Sequence, residues 1–281
     1  MKIIIFKSNF DPITKHHIKT AKKVLREKSA DLVCFYIDNS YNNDIYHREK
    51  MIKQAIKPYR KFVYINNYQK LMKRDRQNKY LILEDDESEK QSDLFKKGKL
   101  SVVDRKTCGY VFNNGLYAKE IVSSYINPKR FKHCLSVADL SLKIARGNKL
   151  DEYKAYLIGL YHDIAKDLNK DQLLIYMNIY KPYEIEYDYQ VCHQYVGYYY
   201  LKHNCRLKDK KMLKAIRHHC LGDDNDVYSK LVFVADKLDP LRGYDGSKQI
   251  EIACRDLNKA FEIVKKENED YLESRWIAWL L

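Results

Sequence analysis

A chain of 281 residues with 45% hydrophobic and 32% charged residues has the size of one large or two smaller domains, and two are expected. No run approaches the roughly 18 apolar residues of a membrane span. A membrane-spanning protein is therefore not expected; the apolar start Met1-Lys-Ile-Ile-Ile-Phe reads as a buried first strand rather than a secretory leader, and the cytoplasm is the expected location. Seven cysteines without a C-x-x-C pair read as reduced, incidental thiols. The net charge of +14 is uneven: the first 118 residues hold 25 of the 52 basic and 14 of the 38 acidic side chains. That field permits nucleic-acid binding through the first half, but a solvated lysine-rich surface is the favoured reading.

Residues 2–6 and 31–36 are apolar runs of strand length. Between them Ile18, Ala21, Val24 and Leu25 recur at helical spacing. A helix over about 47–56 and a strand around 62–65 continue the alternation expected of a parallel sheet with crossover helices. Residues 68–93 are strongly charged, with Lys-Arg-Asp-Arg at 73–76 and Glu-Asp-Asp-Glu at 84–87, and predict a mobile connector around one short strand at 80–83. From about Leu116 helical periodicity takes over, with segments at 122–126, 131–145, 153–164, 173–180, 191–201, 212–219, 228–238 and 250–264. The expected fold class is therefore two-domain: a shortened, Rossmann-like α/β domain over 1–117, then an all-α domain over 118–281.

Six of the nine histidines follow residue 130. His162 and Asp163 close an apolar helical segment, where a charged carboxylate is costly unless paired or bound to a cation. His133, His193, His219 and Asp236 each fall on a different predicted helix, the last in the apolar run Leu231-Val-Phe-Val-Ala-Asp. Helical bundles build metal sites from inward-facing ligands in this way. Imidazole and carboxylate suit iron, manganese, zinc or cobalt. His203, in Leu-Lys-His-Asn, has no such context and reads as a surface or helix-end residue.

The order His133, His162-Asp163, His193, His219, Asp236 resembles the HD-domain superfamily of metal-dependent phosphohydrolases. Arg130-Phe-Lys-His133, Gly159-Leu-Tyr-His-Asp-Ile-Ala-Lys166, Ala215-Ile-Arg-His-His219 with Gly222, and Val234-Ala-Asp-Lys-Leu-Asp-Pro-Leu-Arg242 are similar to its YqeK branch, the symmetrical diadenosine tetraphosphate hydrolases. The resemblance spans about residues 117–268. It departs at His218, where an aromatic residue is usual, at Cys220, where a hydroxyl residue is, and at Gln194, where glycine is common; none of these removes a ligand. It implies two divalent ions, iron ahead of manganese, cobalt or magnesium: one held by His133, His162, Asp163 and Asp236, the other reached by Asp163 with His193 and His219. It further implies Asp163 and Lys166 as catalytic residues, and Arg130, Lys166, Arg217, Lys237 and Arg242 as phosphate binders. The implied substrate is a dinucleoside polyphosphate; another nucleotide, such as a guanosine alarmone, is the alternative.

Lys7-Ser-Asn-Phe-Asp-Pro-Ile-Thr-Lys-His-His-Ile18 follows a predicted strand and opens a helix, a place suited to nucleotide phosphate. It resembles the signature of nucleotidylyltransferases, in particular the nicotinate-nucleotide adenylyltransferases. His47-Arg-Glu-Lys-Met51, Gly98, Tyr110 and Asn114-Gly-Leu-Tyr117 share the likeness, which covers roughly residues 1–117. Asn9, Phe10, Thr14 and His17 are what remains of that family's nucleotide site. Lys7 and Ser8 stand for its two glycines and His16 for another, so side chains crowd the backbone that should touch phosphate. The family's serine-rich phosphate motif falls on Glu87-Ser-Glu-Lys-Gln-Ser92 without its arginine. A degenerate domain without turnover is expected here. The rival readings are adenylyltransferase activity in this half, or a module that binds a nucleotide or RNA without turning it over. The oligomeric state is left open, with the apolar stretch Trp276-Ile-Ala-Trp-Leu-Leu281 as a candidate docking segment.

Overall fold

The computed structural model describes residues 1–38, 45–180 and 189–280, the side chains of 189 and 275–280 excepted. The side chains of the apolar stretch 276–281 thus lie outside the described residues. The chain divides into two compact units, Met1–Tyr117 and Ala118–Leu281.

The first unit runs β1 (Lys2–Ser8), α1 (Lys15–Glu27), β2 (Leu32–Ile37), α2 (Ile45–Ile56), β3 (Phe62–Tyr64), α3 (Tyr68–Arg74), β4 (Lys79–Leu83), α4 (Asp86–Lys96) and α5 (Arg105–Asn113). Its four strands form a parallel sheet in the order β3-β2-β1-β4, with Ile4 opposite Val33 on one side and Leu81 on the other. Ile3, Ile4, Ile5 and Phe6 are all buried, as a central strand covered on both faces requires. Because β2 and β4 flank β1, the crossovers diverge there. The crevice past the carboxyl ends of β1 and β4 is the topological switch point at which open α/β sheets take ligands.

Residues 68–93 are not a connector. Asn67 caps α3 by accepting from Lys70 N at 2.7 Å, and Tyr68 and Leu71 pack beside Ile3, Ile5 and Cys34. Asp85 caps α4, whose first turn carries Asp86, Glu87 and Glu89. The acidic run that reads as a solvated linker is the favourable charge at a helix N-terminus.

The second unit is helical: α6 (Ala118–Tyr125), α7 (Pro128–Gly147), α8 (Glu152–Tyr161), α9 (Lys170–Tyr180), α10 (Tyr189–His203), α11 (Lys210–His218), α12 (Val227–Lys237), α13 (Ser247–Arg255) and α14 (Leu257–Leu280). Asn127 caps α7, with Pro128 in its first turn. Helix α8 buries Ala155, Leu157, Ile158, Leu160 and Tyr161, so it is apolar nearly all round and occupies the centre. Helices α7 and α8 meet backbone to backbone at Gly159, where an added Cβ would fall 2.7 Å from Ala138 Cα. Among the described residues no helix is long and apolar enough to cross a membrane.

Candidate metal centre

Two of the histidines are aimed by the same local device. His162 and His219 are the C-cap residues of α8 and α11. Helix ends leave carbonyls without intrahelical partners, and each ring uses Nδ1 to satisfy one of them: His162 on Gly159 O at 2.6 Å, His219 on Ile216 O at 2.7 Å. A carbonyl can only accept, so Nδ1 carries the proton and Nε2 turns a lone pair inward. His133, on α7, is fixed in the same sense by a carboxylate, its Nδ1 lying 2.6 Å from Asp239 Oδ2. The Nε2 atoms of His133 and His162 are buried without a hydrogen-bond partner among the described residues. Buried lone pairs left unmatched are costly and mark a position where a cation would be held.

Asp163 joins two donor sets. Its Oδ2 lies 3.7 Å from His162 Nε2 and 3.9 Å from His133 Nε2, and Asp236 Oδ1 completes this set at 3.2 Å from His133 Nε2 and 3.8 Å from His162 Nε2. Its Oδ1 lies 3.1 Å from His193 Nε2 and 3.5 Å from His219 Nε2. Burial opposes ionisation of Asp163, but the rings of His162, His193 and His219 hold its carboxyl well below the usual carboxylate range. Burial opposes ionisation of Asp236 too, and Lys237, His133 and Arg242 keep it charged. Desolvation brings His162 down to about 4, so its ring is neutral and able to ligate. For His133 burial is outweighed by Asp236 and Asp239, which raise it to about 9. The donors present fit divalent metal ions: imidazoles, a carboxylate with one oxygen in each set, and second carboxylates behind.

Cationic side chains rim these carboxylates. Arg130 Nη1 donates to Asp163 Oδ2 at 3.0 Å, Lys237 Nζ lies 3.2 Å from Asp236 Oδ2, and Arg242 Nε donates to Asp236 O at 2.7 Å. Lys166 Nζ sits 3.2 Å from His193 Nδ1, and among the described residues no acceptor tethers that nitrogen as one does in the other three rings. Arg217 stands differently, packed over the rings of Tyr195 and Tyr198 at 5.6 and 5.4 Å. A cavity of about 440 Å³ opens beside the cluster, lined by Lys129, Arg130, Lys132, His133, Asp239 and Arg242. Arg242 also lines a second cavity of about 400 Å³ with Lys237, Tyr244 and Tyr271. His203 is exposed at the end of α10, stacked on Tyr180 and Tyr199.

Sequence reasoning passed over two residues of this site. Asp239 stands in the quoted Asp-Pro-Leu-Arg stretch without a role, yet it orients His133. Cys220 is not incidental: its Sγ lies 3.2 Å from His193 Nε2 and 3.3 Å from His219 Nε2. Burial opposes its ionisation, but His219 and His193 bring the thiol down to about 6. The available signal was its position next to the candidate ligand His219 at a helix end.

In the N-terminal unit the candidate residues are gathered at the switch point but are bound to one another. Glu89 Oε1 accepts from Ser8 Oγ at 2.6 Å and from Asn9 N at 2.7 Å. His17 is fully buried, with Nδ1 2.8 Å from Thr14 Oγ1 and Nε2 3.1 Å from Ser8 Oγ; its ring packs 4.7 Å from that of Phe10. Ser92 donates to Pro12 O at 2.9 Å, and Lys7 lies between Asp38 at 2.9 Å and Glu84 at 3.1 Å.

An inward cluster of histidines and aspartates on separate helices, with the paired His162-Asp163 at its centre, defines a class of helical metal-dependent phosphohydrolase. Residues 130–241 match the family model described as HD domain. A symmetrical bis(5'-nucleosyl)-tetraphosphatase from Staphylococcus aureus is 30% identical over 141 residues, 47% of this chain and 70% of that protein. A probable nicotinate-nucleotide adenylyltransferase/Ap4A hydrolase from Mycoplasma genitalium is 31% identical over 183 residues, 62% of this chain; the chain spans about half of that relative's length, 52%. The crystal structure of a protein described as a predicted HD superfamily hydrolase involved in NAD metabolism, from Clostridium acetobutylicum, superposes with a TM-score of 0.52 at 26% identity, over 56% of this chain and 86% of that one. The chain belongs to the HD-domain family, on the branch of the symmetrical bis(5'-nucleosyl)-tetraphosphatases.

Proposed function

We propose that the helical unit hydrolyses diadenosine tetraphosphate to two molecules of ADP, with two divalent ions, iron foremost, held by His133, His162, Asp163, His193, His219 and Asp236. The observation that carries this is Asp163, which presents one oxygen to each of two donor sets under a cationic rim. A bound pair of divalent ions supplies positive charge at the phosphoryl oxygens and lowers the pKa of the attacking water. The chain supplies the rest. Arg130 and Arg242, both in the wall of the 440 Å³ cavity, hold the polyphosphate by paired hydrogen bonds, and Lys237 adds a point charge. Lys166 Nζ, at the His193 edge, offsets the charge of the departing ADP as the central P–O–P bridge breaks. Asp239 holds the Nδ1 proton of His133 and so keeps its Nε2 free. The relatives' names supply the substrate class: three are called symmetrical bis(5'-nucleosyl)-tetraphosphatases and two combine Ap4A hydrolase with an adenylyltransferase.

The N-terminal unit is, on the same reading, a nucleotidylyltransferase-like domain without turnover. Its support is Glu89, whose carboxylate already takes the hydroxyl and backbone N–H donors of the loop after β1.

The test is to load the purified full chain in turn with iron(II), manganese, cobalt and magnesium and to resolve the products from diadenosine tetraphosphate. ADP as the sole product, with the rate falling more than about 100-fold in Asp163→Ala, is expected. AMP with ATP, or no turnover with any metal, would sink the substrate assignment. Pyrophosphate release from ATP and nicotinate mononucleotide would overturn the reading of the N-terminal unit.

A further inference from the structure

We infer that Cys220 is a metal ligand in its own right, a thiolate that turns the His193–His219 side of the centre into a four-donor sulfur-containing site. This rests on the metal-centre reading and is independent of which nucleotide is hydrolysed.

Three donor atoms converge there, His193 Nε2, His219 Nε2 and Cys220 Sγ, and Asp163 Oδ1 lies beside both nitrogens. The two nitrogens are 3.1 Å apart, the sulfur lies 3.2 and 3.3 Å from them, and the oxygen 3.1 and 3.5 Å. Bond lengths of about 2.0–2.1 Å to nitrogen and about 2.3 Å to sulfur place the donors of a tetrahedral ion about 3.3–3.6 Å apart. Five of the six edges of such a tetrahedron are thus present to within a few tenths of an ångström. One ligand atom from each of His193, His219 and Cys220 lies within 4.8 Å of the other two.

The backbone places the sulfur as deliberately as it places the imidazoles. Cys220 N donates to Gln194 Oε1 at 3.0 Å, which ties the residue after His219 to the residue after His193 across α11 and α10. Gln194 is itself fully buried. The other donor set holds only nitrogen and oxygen, so the two sides differ in softness. A thiolate favours zinc, iron(II) or cobalt(II) over magnesium or manganese, and the two positions are expected to discriminate between ions.

Cobalt(II) exchanged into the full-length protein reads this directly, because its visible d–d bands report any nitrogen or oxygen site and a near-ultraviolet charge-transfer band reports bound thiolate. The expected result is both bands in the wild type and in Cys254→Ser, with loss of the charge-transfer band alone in Cys220→Ser and in the bulkier Cys220→Thr. In the same variants the preference for cobalt over manganese should fall by at least about tenfold in a competition titration. Visible bands without a charge-transfer band in the wild type, or a charge-transfer band that survives in both Cys220 variants, would remove Cys220 from the ligand set and leave the six-residue centre standing. Absence of any cobalt band in the wild type would overturn both.

Discussion

The two units each gather buried histidines and carboxylates, and they treat them in opposite ways. At the switch point of the sheet the imidazole and the loop donors are taken up internally: Ser8 Oγ and Asn9 N donate to Glu89, and His17 has Thr14 on one nitrogen and Ser8 on the other, while Asn9 Oδ1 is left without a hydrogen-bond partner among the described residues. In the helical bundle the Nδ1 atoms of three rings are satisfied, but the Nε2 atoms of His133 and His162 are not. An imidazole partnered on both nitrogens rigidifies a fold, whereas two imidazole nitrogens left open in one buried cluster suit something that binds them. Residue types alone do not separate a site from a scaffold; the balance of donors and acceptors does.

Three substitutions or conditions test that contrast. Asp239→Asn removes the carboxylate that holds the Nδ1 proton of His133 without touching the ligands. Metal affinity measured by chelator competition should drop by about 10–100-fold while the circular dichroism spectrum stays unchanged, and an unaltered affinity would mean that His133 needs no such support. Glu89→Ala leaves the loop donors of the N-terminal unit unmatched. It should destabilise that unit by about 1–3 kcal/mol, seen as faster amide exchange in β1, with phosphohydrolase turnover unchanged. A matching loss of turnover would show that the second unit depends on the first.

The smallest effect is a pH slope. Burial lowers the pKa of His17 from 6.5 to about 3, with Asp85 and His16 acting in opposite directions. Between those values the unfolded chain binds the proton that the folded one refuses. The contribution is therefore complete above about pH 6.5 and declines as the pH falls, by up to about 1.4 kcal/mol per unit, until about pH 3. Exchange rates of the Ile3–Phe6 amides followed from pH 7 to 4 should show this, and His17→Gln should flatten it.

Much of the helical site was legible because its members break local rules in the sequence: Asp163 directly follows the apolar helix α8 and Asp236 interrupts the apolar helix α12, where charge would otherwise have no place. Their grouping could be read as soon as the helices were. The capping role of His162 and His219 could not, since it depends on where α8 and α11 stop. Cys220 was hidden by its own chemistry, as a small, mostly apolar side chain that fits any buried position until its neighbours are known. In the first unit, charge masked α3 and α4. Short helices rich in Lys, Asp and Glu carry little apolar periodicity, and the capping residues Asn67 and Asp85 were the stronger signal.

The contact between Gly159 and Ala138 gives the site its scale. His162 hangs three residues beyond Gly159 and His133 five residues before Ala138, so the span between those two imidazoles is fixed by how thinly two main chains can be laid together. A single hydrogen atom acts as the spacer. A methyl group in its place would have to wedge the helices apart, and the gap between the rings would widen although none of the candidate ligands had changed.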